Sequence, residues 1–218
     1  MTLAIFDLDN TLIAGDSDHA WGEFLIDQGL VDGDEFQRQN DRFYQDYLSG
    51  DLDIDGYLSF ALSYLAGKPI EELNALHERF MVDKIQPMLL PKAFELLDKH
   101  RALGHRLMII TATNKFVTAP IAEHLGVTEL IASEAEMRDG LYTGKPTGIP
   151  SFQAGKVKRL QQWLNEHNES LAGAWFYSDS HNDQPLLEQV DHPVAVDPDE
   201  RLRSLAVAQQ WPVISLRD

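Results

Sequence analysis

Cysteine is absent from all 218 residues. That excludes a disulfide framework, a thiolate metal site and a cysteine nucleophile. No stretch approaches the roughly 18 unbroken apolar residues that a membrane helix needs, so no membrane partner is expected. Basic residues are scarce: 18 Lys and Arg stand against 35 Asp and Glu, a net charge of -17. A polyanion such as nucleic acid is repelled by such a surface, and no local basic patch interrupts it. The opening residues, MTLAIFDLDN, carry acids where an export signal has a basic start and a longer apolar run. The expected location is therefore the cytoplasm. Internal repeats and low-complexity segments are missing too. What remains is an ordinary globular composition, 44% hydrophobic, in a chain long enough for one core carrying a smaller insert.

Short apolar runs mark four buried strands. They are Leu3 to Phe6 ending in Asp7, Arg106 to Ile110 ending in Thr111, Ala174 to Tyr177 ending in Ser178 and Asp179, and Pro193 to Val196 ending in Asp197. Helical spacing covers Lys92 to Ala102, Lys115 to Leu125 and Lys156 to Glu166, with Gly104 and Gly126 as terminators of the first two. Strands alternating with helices predict an α/β fold, a doubly wound parallel sheet of Rossmann type. In such sheets ligands bind at the carboxyl ends of the strands, which brings Asp7, Thr111 and Asp179 to one crevice. Around Arg138-Asp139-Gly140 the pattern is that of a β-hairpin.

Residues 16 to 86 break the alternation. Trp21, Phe24 and Leu25 recur at helical spacing, as do Phe36, Phe43 and Tyr47, then Tyr57, Ala61, Tyr64 and Leu65, then Leu73, Leu76 and Phe80. Gly29, Gly33, Gly50, Gly67 and Pro69 punctuate them. The expectation is a four-helix cap over 16–86, inserted after the first strand of a core formed by 1–15 and 87–218. Its aromatics read as cap core, with Trp21 held apart because it follows the first strand loop closely. Acidity concentrates here, with 16 acids against 5 bases between Asp16 and Lys84, which suits a cationic or zwitterionic ligand.

Two carboxylates two residues apart at a strand end, Asp7 and Asp9, can divide the work of one site. One attacks phosphorus as nucleophile while the other moves the proton of the leaving alcohol. A lone pair of this kind is commonly a turn or a helix cap. Asp179 and Asp183, four apart in Ser178-Asp179-Ser180-His181-Asn182-Asp183, supply the further acids of an oxygen-rich site for magnesium. Thr111 and the backbone beside it can donate to phosphate oxygens, and Lys156, opening a helix after Gly155, can supply a fixed positive charge.

In that order and context these residues resemble the four motifs of the haloacid dehalogenase (HAD) superfamily, over nearly the whole chain. The cap resembles that of its phosphoserine-phosphatase-like branch. The resemblance implies a Mg2+-dependent phosphatase in which Asp7 forms an aspartyl-phosphate. Asp9 acts as acid and base and offers its backbone carbonyl to the metal. Thr111, Ala112 and Lys156 hold the phosphate, and Asn182 adds a phosphate or water contact. Asp7 and Asp179 bind the metal directly, and Asp183 directly or through water. The alternatives are a phosphatase for another small metabolite and a phosphotransferase or mutase using the same intermediate.

One departure bears on the substrate. Phosphoserine phosphatases resemble this chain at the acid after the first motif, here Asp16, but carry a cap arginine where this sequence has Ala61. Without that bidentate clamp a substrate carboxylate has no partner. Asp16, Asp18, His19 and Trp21 then read as substrate contacts for a small phosphate ester bearing positive charge, and branch members with similar Asp-Ser-Asp-His segments look like histidinol-phosphate phosphatases. As to assembly, the expectation is a monomer or homodimer.

Overall fold

The first strand, β1 (Leu3–Phe6), has every residue buried, as a strand covered on both faces must be. Alternate side chains go to opposite sides. Ala4 and Phe6 enter one apolar cluster, Leu3 and Ile5 the other. The computed structural model describes residues 1–217.

After β1 come four helices: α1 (Ser17–Asp27), α2 (Gly33–Ser49), α3 (Ile54–Leu62) and α4 (Ile70–Phe80). A π-helical turn (Met81–Ile85) and a 3-10 turn (Gln86–Met88) bring the chain back to α5 (Pro91–Ala102). The outgoing and returning segments touch through an antiparallel bridge, Ile13 to Leu89. The rest alternates: β2 (Arg106–Asn114), α6 (Lys115–His124), β3 (Glu129–Arg138), β4 (Leu141–Thr147), α7 (Ala154–His167), β5 (Trp175–Ser178), α8 (Gln184–Leu187), β6 (His192–Val196), α9 (Glu200–Gln209) and β7 (Val213–Ile214).

The strands form one sheet in the order β4-β3-β2-β1-β5-β6-β7. Every pairing is parallel except β3 with β4. Side chains of α5 and α6 pack with Phe6 on one face, and those of α7 and α9 with Ile5 on the other. This is a Rossmann-like core wound on both sides and carrying a helical cap. The topological switch point lies at β1, between β2 and β5, and a ligand site is expected there.

The four expected strands are all present, the first with its expected bounds and the other three with shifted ends. The second runs on past Thr111 to Asn114, with a register shift against β3 between Ile110 and Asn114. The hairpin is formed by β3 and β4, turning at Asp139 and Gly140, both with positive φ. The two-residue β7, too short for a periodic signal, extends the sheet beyond the four apolar runs.

Candidate active site

Asp7 follows β1 directly and is 3% exposed. Its Oδ1 accepts from Lys156 Nζ at 2.7 Å. Lys156 is itself 2% exposed, and its place in the first turn of α7 is set by the backbone before it. Gln153 has φ 46, a conformation that costs a non-glycine residue on the order of 1–3 kcal/mol. At Gly155 a Cβ would stand 2.0 Å from the Pro150 carbonyl oxygen, so glycine alone lets the helix start here.

The same ammonium lies 2.7 Å from Asp183 Oδ1 and 2.8 Å from its Oδ2. Ser178 Oγ also donates to Oδ2, at 2.7 Å. Both oxygens of Asp183 are therefore occupied by the lysine, and this carboxylate positions Lys156.

Asp179 follows β5 directly, and Thr11 holds it. The Thr11 hydroxyl donates to Asp179 Oδ1 at 2.9 Å and accepts from the Asp179 N–H at 3.0 Å. Asp9 has both oxygens in use: Oδ1 accepts from the Ser17 N–H at 2.7 Å, and Oδ2 from the hydroxyls of Thr113 at 2.9 Å and Thr111 at 3.3 Å. Asp9 thus joins the start of α1 to β2, and Thr111, expected at the phosphate, here serves Asp9.

Burial pushes the Asp7 carboxyl well above the ordinary carboxylate range. Lys156 opposes that shift, and Asp183, Asp179 and Asp9 add to it. Burial also raises Asp179 to about 7, against the Thr11 bond. Burial alone would lower the Lys156 ammonium, but Asp183 and Asp7 outweigh it and hold it charged. Such crowded negative charge suits a hard divalent cation bound through oxygen. Among the described residues no three His, Cys, Asp or Glu side chains form a ready ligand cluster, and Lys156 bonds to both Asp7 and Asp183. The remaining donors, Asp7, Asp179 and backbone oxygen, match magnesium's habit of taking one or two carboxylates and filling its shell with water and phosphate.

Above these groups lies a cavity whose floor is Asp7, Asp9 and residues 111–113, which includes Thr111 and Ala112. Asp16 and His19 come from the start of α1, and Asn40, Phe43, Tyr44 and Tyr47 from α2. Leu52 and Tyr57 complete it. Free room inside is about 20 Å³, on a measure where one water takes roughly 10–15 Å³. The wall carries no lysine or arginine among the described residues, in keeping with Ala61 in place of a clamp.

Asp16 caps α1, accepting from the Asp18 and His19 N–H groups. Burial of its carboxyl raises it well above the usual range, and Asp9 adds to this. His19 contacts Asp41 through Nε2 at 2.9 Å and lies against the Tyr44 ring, 4.9 Å between centroids.

Three residues expected at the substrate or phosphate do not line this cavity. Trp21 is 2% exposed and packs among Phe24, His77, Phe80 and Phe116. It belongs to the hydrophobic core, because its face of α1 turns toward α4 and α6. Asp18 is a bridge: Asn114 Nδ2 donates to Oδ1 at 3.1 Å and the Tyr57 hydroxyl to Oδ2. Burial lifts it to about 6, with the Tyr57 bond opposing. Asn182 lines a separate groove, its amide donating to the Tyr47 carbonyl at 3.0 Å and accepting from Gln153 at 2.9 Å. Conversely, Phe43, Tyr47 and Tyr57, read from spacing as core, line the cavity. Thr11 and Thr113 gave no signal beyond lying two residues from an expected site residue.

The haloacid dehalogenase-like hydrolase family model matches residues 4–188. A histidinol-phosphatase of Neisseria meningitidis serogroup C is 46% identical over 219 residues, covering 99% of each chain. The solved structure of a Bordetella pertussis protein of unknown function superposes with a TM-score of 0.93 at 46% identity, over 99% of this chain and 100% of that one. A substrate-bound phosphoserine phosphatase shares the fold, with a TM-score of 0.71 at 16% identity over 99% and 93% of the two chains.

Proposed function

Since the chain belongs to the haloacid dehalogenase-like hydrolase family and is one of its phosphatases, we propose that it hydrolyses a small cationic phosphate monoester, histidinol phosphate, through an aspartyl-phosphate on Asp7. The Asp7 carboxylate attacks phosphorus and the bond to the leaving alcohol breaks. Asp9 gives that alcohol a proton, then takes one from the water that cleaves the aspartyl-phosphate and restores Asp7. Lys156, kept charged between Asp7 and Asp183, offsets the negative charge of nucleophile and phosphoryl group. Magnesium, for which Asp7, Asp179 and the Asp9 carbonyl are the available donors, would neutralise phosphate charge when bound. The helices over 16–86 act as the cap, opening for substrate and excluding water when closed.

One observation carries the substrate reading: the cavity wall sets the Asp16 carboxylate, with no cationic partner, beside the rings of Phe43, Tyr44 and Tyr57. A half-buried carboxylate raised by its surroundings gains from an ammonium or imidazolium, and aromatic faces attract the same charge. The histidinol-phosphatase of Neisseria meningitidis, so similar over its full length, supports this reading. Asp16→Asn tests it, because asparagine keeps the helix cap and removes the charge. The expected result is a loss of about 10–100-fold in kcat/KM for histidinol phosphate. An uncharged ester of similar size should change by less than about 3-fold. Equal losses on both esters would show that Asp16 does not read charge.

A further inference from the structure

We propose that Tyr47, supplied by the cap, is a phosphoryl-binding residue: its phenol donates to an oxygen of the group being transferred to Asp7. This rests on the reading of Asp7 as phosphoryl acceptor and extends it to a cap residue.

The side-chain donors around Asp7 are largely spent on carboxylates. Lys156 serves Asp7 and Asp183. The hydroxyls of Thr111 and Thr113 serve Asp9, that of Thr11 serves Asp179 and that of Ser178 serves Asp183. A transferring phosphoryl group carries charge on three equatorial oxygens and needs donors aimed at it. Tyr47 lines the cavity together with Asp7 and Asp9. Its phenol lies in the field of Asp7, Asp179 and Asp183, the charges that surround the expected phosphoryl position.

The core fixes this residue at two other points. Its ring packs on Phe152, 6.1 Å between centroids, just before the helix that carries Lys156. Its carbonyl accepts from Asn182, in the loop between Asp179 and Asp183. Gln153 donates to Asn182 in turn. Tyr47 is thus held by both segments that deliver charge to the nucleophile. Burial and the neighbouring carboxylates keep the phenol protonated, so it remains a donor throughout the neutral range.

Tyr47→Phe keeps the ring on Phe152 and the carbonyl on Asn182, and deletes one donor. The probes are orthovanadate and inorganic phosphate as competitive inhibitors, assayed on whichever esters the wild type hydrolyses. The vanadate inhibition constant should rise about 10–100-fold, as for loss of a hydrogen bond to a charged group. The loss of kcat should be the same factor for every ester, since the phosphoryl group is common to all. Unchanged vanadate inhibition overturns the proposal. So does a loss confined to cationic esters, which would place Tyr47 on the leaving-group side. Failure of the wild type to hydrolyse histidinol phosphate contradicts the substrate reading alone, because vanadate still judges Tyr47.

Discussion

Asp7 has a single cationic partner and three neighbouring acids, so its charge is maintained by one ammonium. Replacing it with asparagine removes the nucleophile but leaves Lys156 paired with Asp183. Asp7→Asn is therefore expected to lose at least about 10³-fold in phosphate release, as for a residue that forms the covalent bond, with the fold retained in a thermal melt. Wild-type turnover in that variant would contradict the covalent route. The placement of Asp7, Asp179 and Lys156 in the fold was legible in the sequence because each follows or opens an element whose apolar pattern is plain. Trp21 and Asn182 were not. Periodicity assigns a residue to a helix face or a turn, but tertiary packing decides whether that face meets a cavity or a core.

The start of α7 shows how much an element can demand of one residue. Lys156 reaches Asp7 because the chain turns through Gln153 and passes Pro150 at Gly155, where a Cβ has no room. Gly155→Ala must shift the backbone. It is expected to destabilise by about 1–3 kcal/mol in denaturant titration, the scale of local backbone strain, and to lower kcat by displacing the ammonium. A variant with unchanged midpoint and kcat would show that the close approach is dispensable. Helix α2 carries the opposite lesson. Its aromatic spacing was legible, but Phe43 faces both ways. It packs on Phe60 and Tyr57, 5.3 and 5.7 Å between centroids, and it lines the cavity. A strip shared between aromatic packing and a cavity wall looks, in sequence, like core alone.

Across the whole molecule the alternation of strands and helices carried the fold, and strand ends carried the site, because a parallel sheet offers one crevice where its connections diverge. The bulge in β2 and the terminal β7 depend on register and on two residues, below what a periodic pattern resolves. Charge is the other molecular property: the net -17 is partly solubility, but inside the cavity it becomes Asp16, unpaired and facing aromatic rings. The most direct measurement is phosphate release by the wild type with magnesium, comparing histidinol phosphate with phosphoserine and an uncharged ester. A kcat/KM for histidinol phosphate above about 10⁴ M⁻¹ s⁻¹, at least about tenfold ahead of the other two, is the expected result. Preference for phosphoserine would contradict the reading of the cavity, showing that a substrate carboxylate finds a partner there after all.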